Sequence, residues 1–239
     1  VLNGTMSLGD TAGTTYGRVY FGDFGGAAAN LTGAGTVVFG GNGNNAIENS
    51  ANQSGASTFT IGSGITIQGK NGSIYNYYST NPSIVNQGTI NVNTVGGTIN
   101  IGGGGNGANP FTNLGTINVS AGTLGLYGNM TRTGLGTINR TGGAVQLGGT
   151  LDLQGGAWNL TATTGSWSLL GGTVKNGTLN ETGGAKLIFT NSGGVLNGLT
   201  VNGELDLTQQ SNANVRILGG LVLNGTMSLG DTAGTTYGR

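Results

Sequence analysis

The sequence predicts an all-β protein, a parallel β-helix of about 22–23 residues per coil. Three observations carry that reading: a composition that helices reject, a short strand grammar that recurs along the chain, and the interval at which it returns. Gly, Asn and Thr supply 53, 29 and 34 of the 239 residues. Each glycine inside a helix costs about 1 kcal/mol relative to alanine, so this composition excludes a helical fold. Pro occurs only twice and no Gly-X-Y period is present, which excludes collagen. Leu, Ile, Val and Phe together number 56 and the net charge is zero. That balance lies outside charge-driven disorder and provides a thin core.

The grammar is Gly-Thr-apolar-x-apolar, found at Gly4, Gly35, Gly88, Gly97, Gly115, Gly122, Gly149 and Gly225. Period-two alternation identifies each as a strand. Glycine is expected to supply the turn conformation, and the β-branched threonine an outward polar position. Ile90 and Val92 should face inward and Asn91 outward. Related phrases place Thr89, Thr116, Thr137, Thr178 and Thr226 at intervals of 27, 21, 41 and 48. With the last two intervals spanning two coils each, the coil is about 23 residues long, and each strand pairs with its equivalents in the neighbouring coils. Recurrent Thr and Asn should then form outward ladders that satisfy one another.

Residues 1–18 and 222–239 are the same sequence, VLNGTMSLGDTAGTTYGR. Identity over 18 positions at an offset of 221 marks residues 1–221 as one full tandem unit and 222–239 as the start of the next. The junction lies inside regular strand grammar, so copies are expected to join without a linker. Three segments break the pattern and are expected to leave the ladder as loops: 40–57, 71–83 and 101–110, the last two holding Pro82 and Pro110. Tyr75, Tyr77 and Tyr78 make the second of these a candidate contact loop, because tyrosine offers an apolar face with a polar tip. Packing against the loop's own wall is the simpler alternative. Trp158 and Trp167 alternate with polar residues and are expected in the core.

Charged residues are 7% of the chain, which leaves no basic face for nucleic acid and no polybasic membrane patch. No apolar stretch approaches a membrane span, and the first residues lack the charged-then-apolar pattern of an export signal. With no Cys and no His, disulfides, thiol nucleophiles, Cys/His zinc sites and histidine bases are excluded.

The phrases from Asn86 to Asn93, Asn113 to Asn129, Gly148 to Gly156 and Leu196 to Thr208 resemble coils of the large repetitive secreted proteins of bacteria, filamentous haemagglutinins and autotransporter passenger regions among them. The resemblance is one of texture and covers nearly the whole chain. It implies a right-handed β-helix, export, and a structural or adhesive role at the cell surface or outside the cell. It carries no catalytic residue across.

β-Helices also serve as carbohydrate-active enzymes, so the carboxylates need weighing. They are Asp10, Asp23, Glu48, Asp152, Glu181, Glu204 and Asp206, with Asp231 repeating Asp10. Glu204 and Asp206 share a strand face, and Glu181 lies 23 residues, about one coil, before Glu204. Such a trio could bind calcium or perform acid–base work. Solvated outward positions neutralised by Lys175, Lys186 and Arg216 are the preferred reading. No calcium-binding nonapeptide and no GxxxxGK[ST] loop occurs. Eleven Asn-x-Ser/Thr sequons follow from the turn grammar and leave glycosylation open.

The sequence therefore points to a non-enzymatic structural protein without cofactor or metal, a segment of a long extracellular fibre whose partners are neighbouring copies end to end. Lateral fibre contacts and glycans are further possible partners. An adhesin using its loops, and a pectin-lyase-like enzyme, are the alternatives.

Overall fold

The computed structural model describes residues 1–22, 29–50, 56–77, 81–104 and 109–239. Among them there is no helix, every registered strand pair is parallel, and the strands stack as a β-solenoid. The chain divides into two compact units, Val1–Gly143 and Ala144–Arg239.

In the first unit, six strands form one sheet: Thr5–Leu8, Thr36–Phe39, Thr66–Gly69, Thr89–Val92, Thr116–Val119 and Thr137–Arg140. Their leading threonines stand directly opposite one another, giving coil lengths of 31, 30, 23, 27 and 21 residues. The extra residues of the longer coils lie between strands, so the columns stay aligned. A second row of strands runs Arg18–Phe21, Ala46–Asn49, Asn71–Asn76, Thr98–Gly104 and Thr123–Leu126. A third sheet holds Ala56–Ile61, Asn81–Asn86 and Phe111–Asn113. The second unit has a steadier period. Thr150, Thr173, Val195 and Arg216 pair in sequence at 23, 22 and 21 residues. Ala157, Thr178, Thr200 and Val222 pair at 21, 22 and 22.

All eight Gly-Thr phrases enter strands as expected. Ile67, Ile90 and Ile117 form an inward column at 0% exposure, and the other wall contributes Ile74, Ile99 and Leu124. Asn91 and Asn118 lie on the opposite faces of their strands and are half-buried. Trp158 and Trp167 are buried edge to face, with ring centroids 5.1 Å apart.

Several expectations change. Thr226 lies four residues beyond the Thr178 column, because Thr178 pairs through Thr200 to Val222 while Thr226 pairs with Glu204. Two strand segments of each coil run together there, in Val195–Leu207 and Arg216–Leu229. The 71–83 segment is mostly strand rather than loop. Asn71–Asn76 and Asn81–Asn86 both pair on the ladder, and Pro82 stands opposite Ser57. Its missing N–H is tolerated near the strand start, since Phe111–Asn113 begins pairing only at Ile84. Segment 40–57 likewise contains the buried strand Ala46–Asn49. The 101–110 segment continues its strand to Gly104, and Pro110 bridges Asn129.

The role of glycine in the grammar also differs. Gly35 does not have a positive φ. A Cβ there would meet the Gly4 carbonyl oxygen at 2.6 Å, so glycine is required by the closeness of successive coils. The inward column should accordingly dominate stability. Ile117→Ala is expected to cost about 2–5 kcal/mol in denaturant unfolding, and Asn118→Ala, which removes an outward hydrogen bond, about 1 kcal/mol.

Candidate functional site

Three places bear on function: the tyrosines of the first unit, the carboxylates of the second, and the repeated 18-residue segment. Tyr75 lies on the strand Asn71–Asn76 and faces outward, with Tyr77 just beyond its end, while Tyr78 lies outside the described residues. Register sets Glu48 between Tyr20 and Tyr75. The Tyr77 ring meets Tyr20 at 6.0 Å and Tyr75 at 6.4 Å, both edge to face. Glu48 is fully covered, and Arg18 Nη1 stands 3.4 Å from its Oε1. Burial, and then the neighbouring Glu48 carboxylate, push the Tyr75 phenol well above its ordinary range. The tyrosines thus pack on one another and on their own wall, with Tyr20 still 47% exposed.

In the second unit Glu181 and Glu204 do meet across adjacent coils: Glu181 Oε2 accepts the Glu204 backbone N–H at 2.9 Å. Lys186 Nζ donates to Glu204 Oε2 at 2.7 Å and lies 3.5 Å from Asp206 Oδ2. Asp206 is buried rather than solvated. Burial raises its pKa, but hydrogen bonds from Thr208 and Gln209 and the Lys186 charge outweigh this and hold it below the usual range. Glu181 is moved the other way, since burial exceeds the effect of the backbone N–H groups of Leu187 and Glu204 that it accepts. Lys175 serves Asp152 instead, at 3.3 Å. A cleft of about 250 Å³ beside Lys186 and Asp206 is lined also by Ser166, Leu187, Ile188 and Gln209. Its charged groups are already engaged with one another, which leaves no carboxylate pair poised across it. Among the described residues no group of three His, Cys, Asp or Glu could hold a metal ion, and no helix is long and apolar enough to cross a membrane. Asp23 lies outside the described residues.

Sequence reading missed the polar columns inside the solenoid. Asn49 donates to Asn76 at 2.9 Å, and Asn86 to Asn113 at 2.8 Å, all four buried. The shared phrases N86QGTINV and N113LGTINV carried this signal, since each asparagine precedes its strand by the same offset. Outside, Asn118 donates to Asn91 and Asn139 to Asn118, while Asn180, Asn202 and Asn224 each donate to the asparagine one coil earlier.

The repeated segment appears in two settings. The N-terminal copy pairs with the coil that follows it: Thr5–Leu8 lies on Thr36–Phe39, and Leu2 bridges Gly33. The C-terminal copy pairs with the coil that precedes it: Asn224, Thr226, Ser228 and Leu229 lie on Asn202, Glu204, Asp206 and Leu207. Arg239 N–H donates to the Ala213 carbonyl at 2.9 Å. Despite opposite neighbours, the two copies form the same loop. Gly9 and Gly230 take φ of 74° and 71°, conformations that suit glycine. Asp10 accepts the N–H and hydroxyl of Thr14, and Asp231 those of Thr235. Asp10 N–H donates to Thr15 Oγ1 at 3.1 Å, and Asp231 N–H to Thr236 Oγ1 at 3.0 Å. The loop is therefore determined by its own sequence.

The chain matches no family model, no curated protein and no solved structure.

The threonine hydroxyls, and then the loop N–H groups, hold both aspartates below the ordinary carboxylate range. A depressed folded pKa contributes stability above the unfolded pKa, and that contribution is lost as pH falls through the folded value. Carboxyl titration by NMR should give Asp10 and Asp231 midpoints below that of a free aspartate. Thr14→Val should raise Asp10 and leave Asp231 unchanged.

Proposed function

We propose that residues 1–221 are one unit of a tandem array and residues 222–239 the start of the next, in a non-enzymatic structural protein that forms a long extracellular fibre or cell-surface filament. The observation that carries the reading is the joint. One 18-residue sequence holds one loop conformation while pairing with the following coil in its first copy and with the preceding coil in its second. A covalent array superimposes the two settings, so one segment makes both sets of pairs and the solenoid passes from unit to unit without a linker.

The function this supports is mechanical. Backbone ladders run from coil to coil, apolar columns seal the interior, and 7% charged residues leave little for salt or pH to disturb. Interlocked Lys186, Glu204 and Asp206 favour this over carbohydrate cleavage. Location outside the cell rests on the texture shared with secreted repetitive proteins.

Proteins carrying increasing numbers of the 221-residue unit should appear in negative stain as unbranched rods of constant width, lengthening in proportion to unit number by about 4.8 Å per coil. Compact particles whose length does not follow unit number would overturn the array. An adhesive role is the second reading, favoured by the outward Tyr20, Tyr75 and Tyr77 cluster. Replacing all three with alanine should then abolish retention on a glycan array while the rods persist. Unchanged retention would remove these residues from any adhesive surface.

A further inference from the structure

The two copies of the repeated segment leave complementary edges. In the C-terminal copy Val222, Met227 and Leu229 are 56%, 42% and 57% exposed, because no coil follows them in these 239 residues. In the N-terminal copy the residue equivalent to Leu229 is Leu8, which is 6% exposed under the Thr36–Phe39 coil. The surface that would cover the open edge is therefore known residue by residue: it is the edge of the coil at 31–49, which already binds the identical sequence.

We propose that two molecules of this chain join end to end by sharing one copy of the segment. Residues 222–239 of one molecule take the place of residues 1–18 on the 31–49 coil of a second, whose own N-terminal copy is released. The inference rests on reading the 18-residue segment as the joint of an array, and extends it to association without a covalent link.

The exchange conserves pairing. Every ladder partner lost by the released copy is regained by the incoming one, which remains attached to Val195–Leu207 through its other edge. The released residues recover conformational freedom, which offsets part of the cost of association. Charge also favours sharing over stacking one copy on the other. Stacking would set Asp231 against Asp10 in adjacent coils, and like charges directly opposite are destabilising. Sharing instead brings Arg239 to the place of Arg18, whose guanidinium lies 3.4 Å from the covered Glu48 carboxylate.

The chain has no cysteine, so cross-links report single contacts. Ser7 stands opposite Val38, and Ser228 is the equivalent of Ser7. Adjacent strands place their Cα atoms within disulfide range. The full chain carrying Val38→Cys and Ser228→Cys should, on oxidation, shift from monomer to a ladder of disulfide-linked oligomers on a non-reducing gel. A synthetic peptide of residues 1–18 should suppress the ladder. Linkage by Ser7→Cys with Ser228→Cys instead would mean that copies stack without exchange, and would overturn the proposal. Absence of a ladder with either pair, in protein whose circular dichroism remains β, would overturn it as well. Should the variants fail to fold, sedimentation of the unsubstituted chain decides. Association that rises with concentration and is abolished by the peptide is expected, and a monomer at every concentration overturns sharing. Rods from covalent multi-unit proteins, with no cross-linking between separate chains, would leave the array intact and remove only the shared joint.

Discussion

Parallel pairing in register from one coil to the next is the constraint on which everything else depends. Once Thr89, Thr116 and Thr137 stand opposite one another, every side chain of a coil is committed to a column. A one-residue slip would turn the buried isoleucines to solvent and the asparagines into the core. The apolar residues are too few to build a thick core. They suffice because each is stacked on its counterpart and sealed between walls, with Ile67, Ile90 and Ile117 wholly inaccessible.

The same stacking explains how an asparagine-rich chain tolerates burial. A buried amide is costly without partners, but in a solenoid its equivalent one coil away supplies them. Asn86 donates to Asn113, and Asn113 in turn to backbone carbonyls of Leu135 and Thr137. Charge is handled locally in the same way. Lys186 serves two carboxylates, and Arg18 stands beside Glu48 where the next column brings only tyrosine.

Strand positions, facing and the approximate coil length were legible in the sequence because alternation and Gly-Thr phrasing are local properties. What was not legible depends on neighbours in space. Segments 71–83 and 40–57 read as loops because their proline, glycine and polar residues suit turns. Asn71–Asn76 and Ala46–Asn49 are nevertheless strands, held by the coils on either side of them. The need for glycine at Gly35 is likewise invisible until the carbonyl of Gly4 is seen against it. Among the carboxylates, sequence spacing placed Glu181 one coil from Glu204. It could not choose Lys186 as their neutralising partner over Lys175, which Asp152 holds.

The self-determined loop at the joint has a consequence for how such a gene can change. Because one 18-residue stretch satisfies both the coil before it and the coil after it, recombination between copies can add or delete a whole period and meet the same pairs on each side. A length change that is not a whole period has no such guarantee, since it puts different residues opposite one another at the seam. Length can therefore vary in whole units while the fold is conserved, and the identity of the two copies is what such exchange would leave behind.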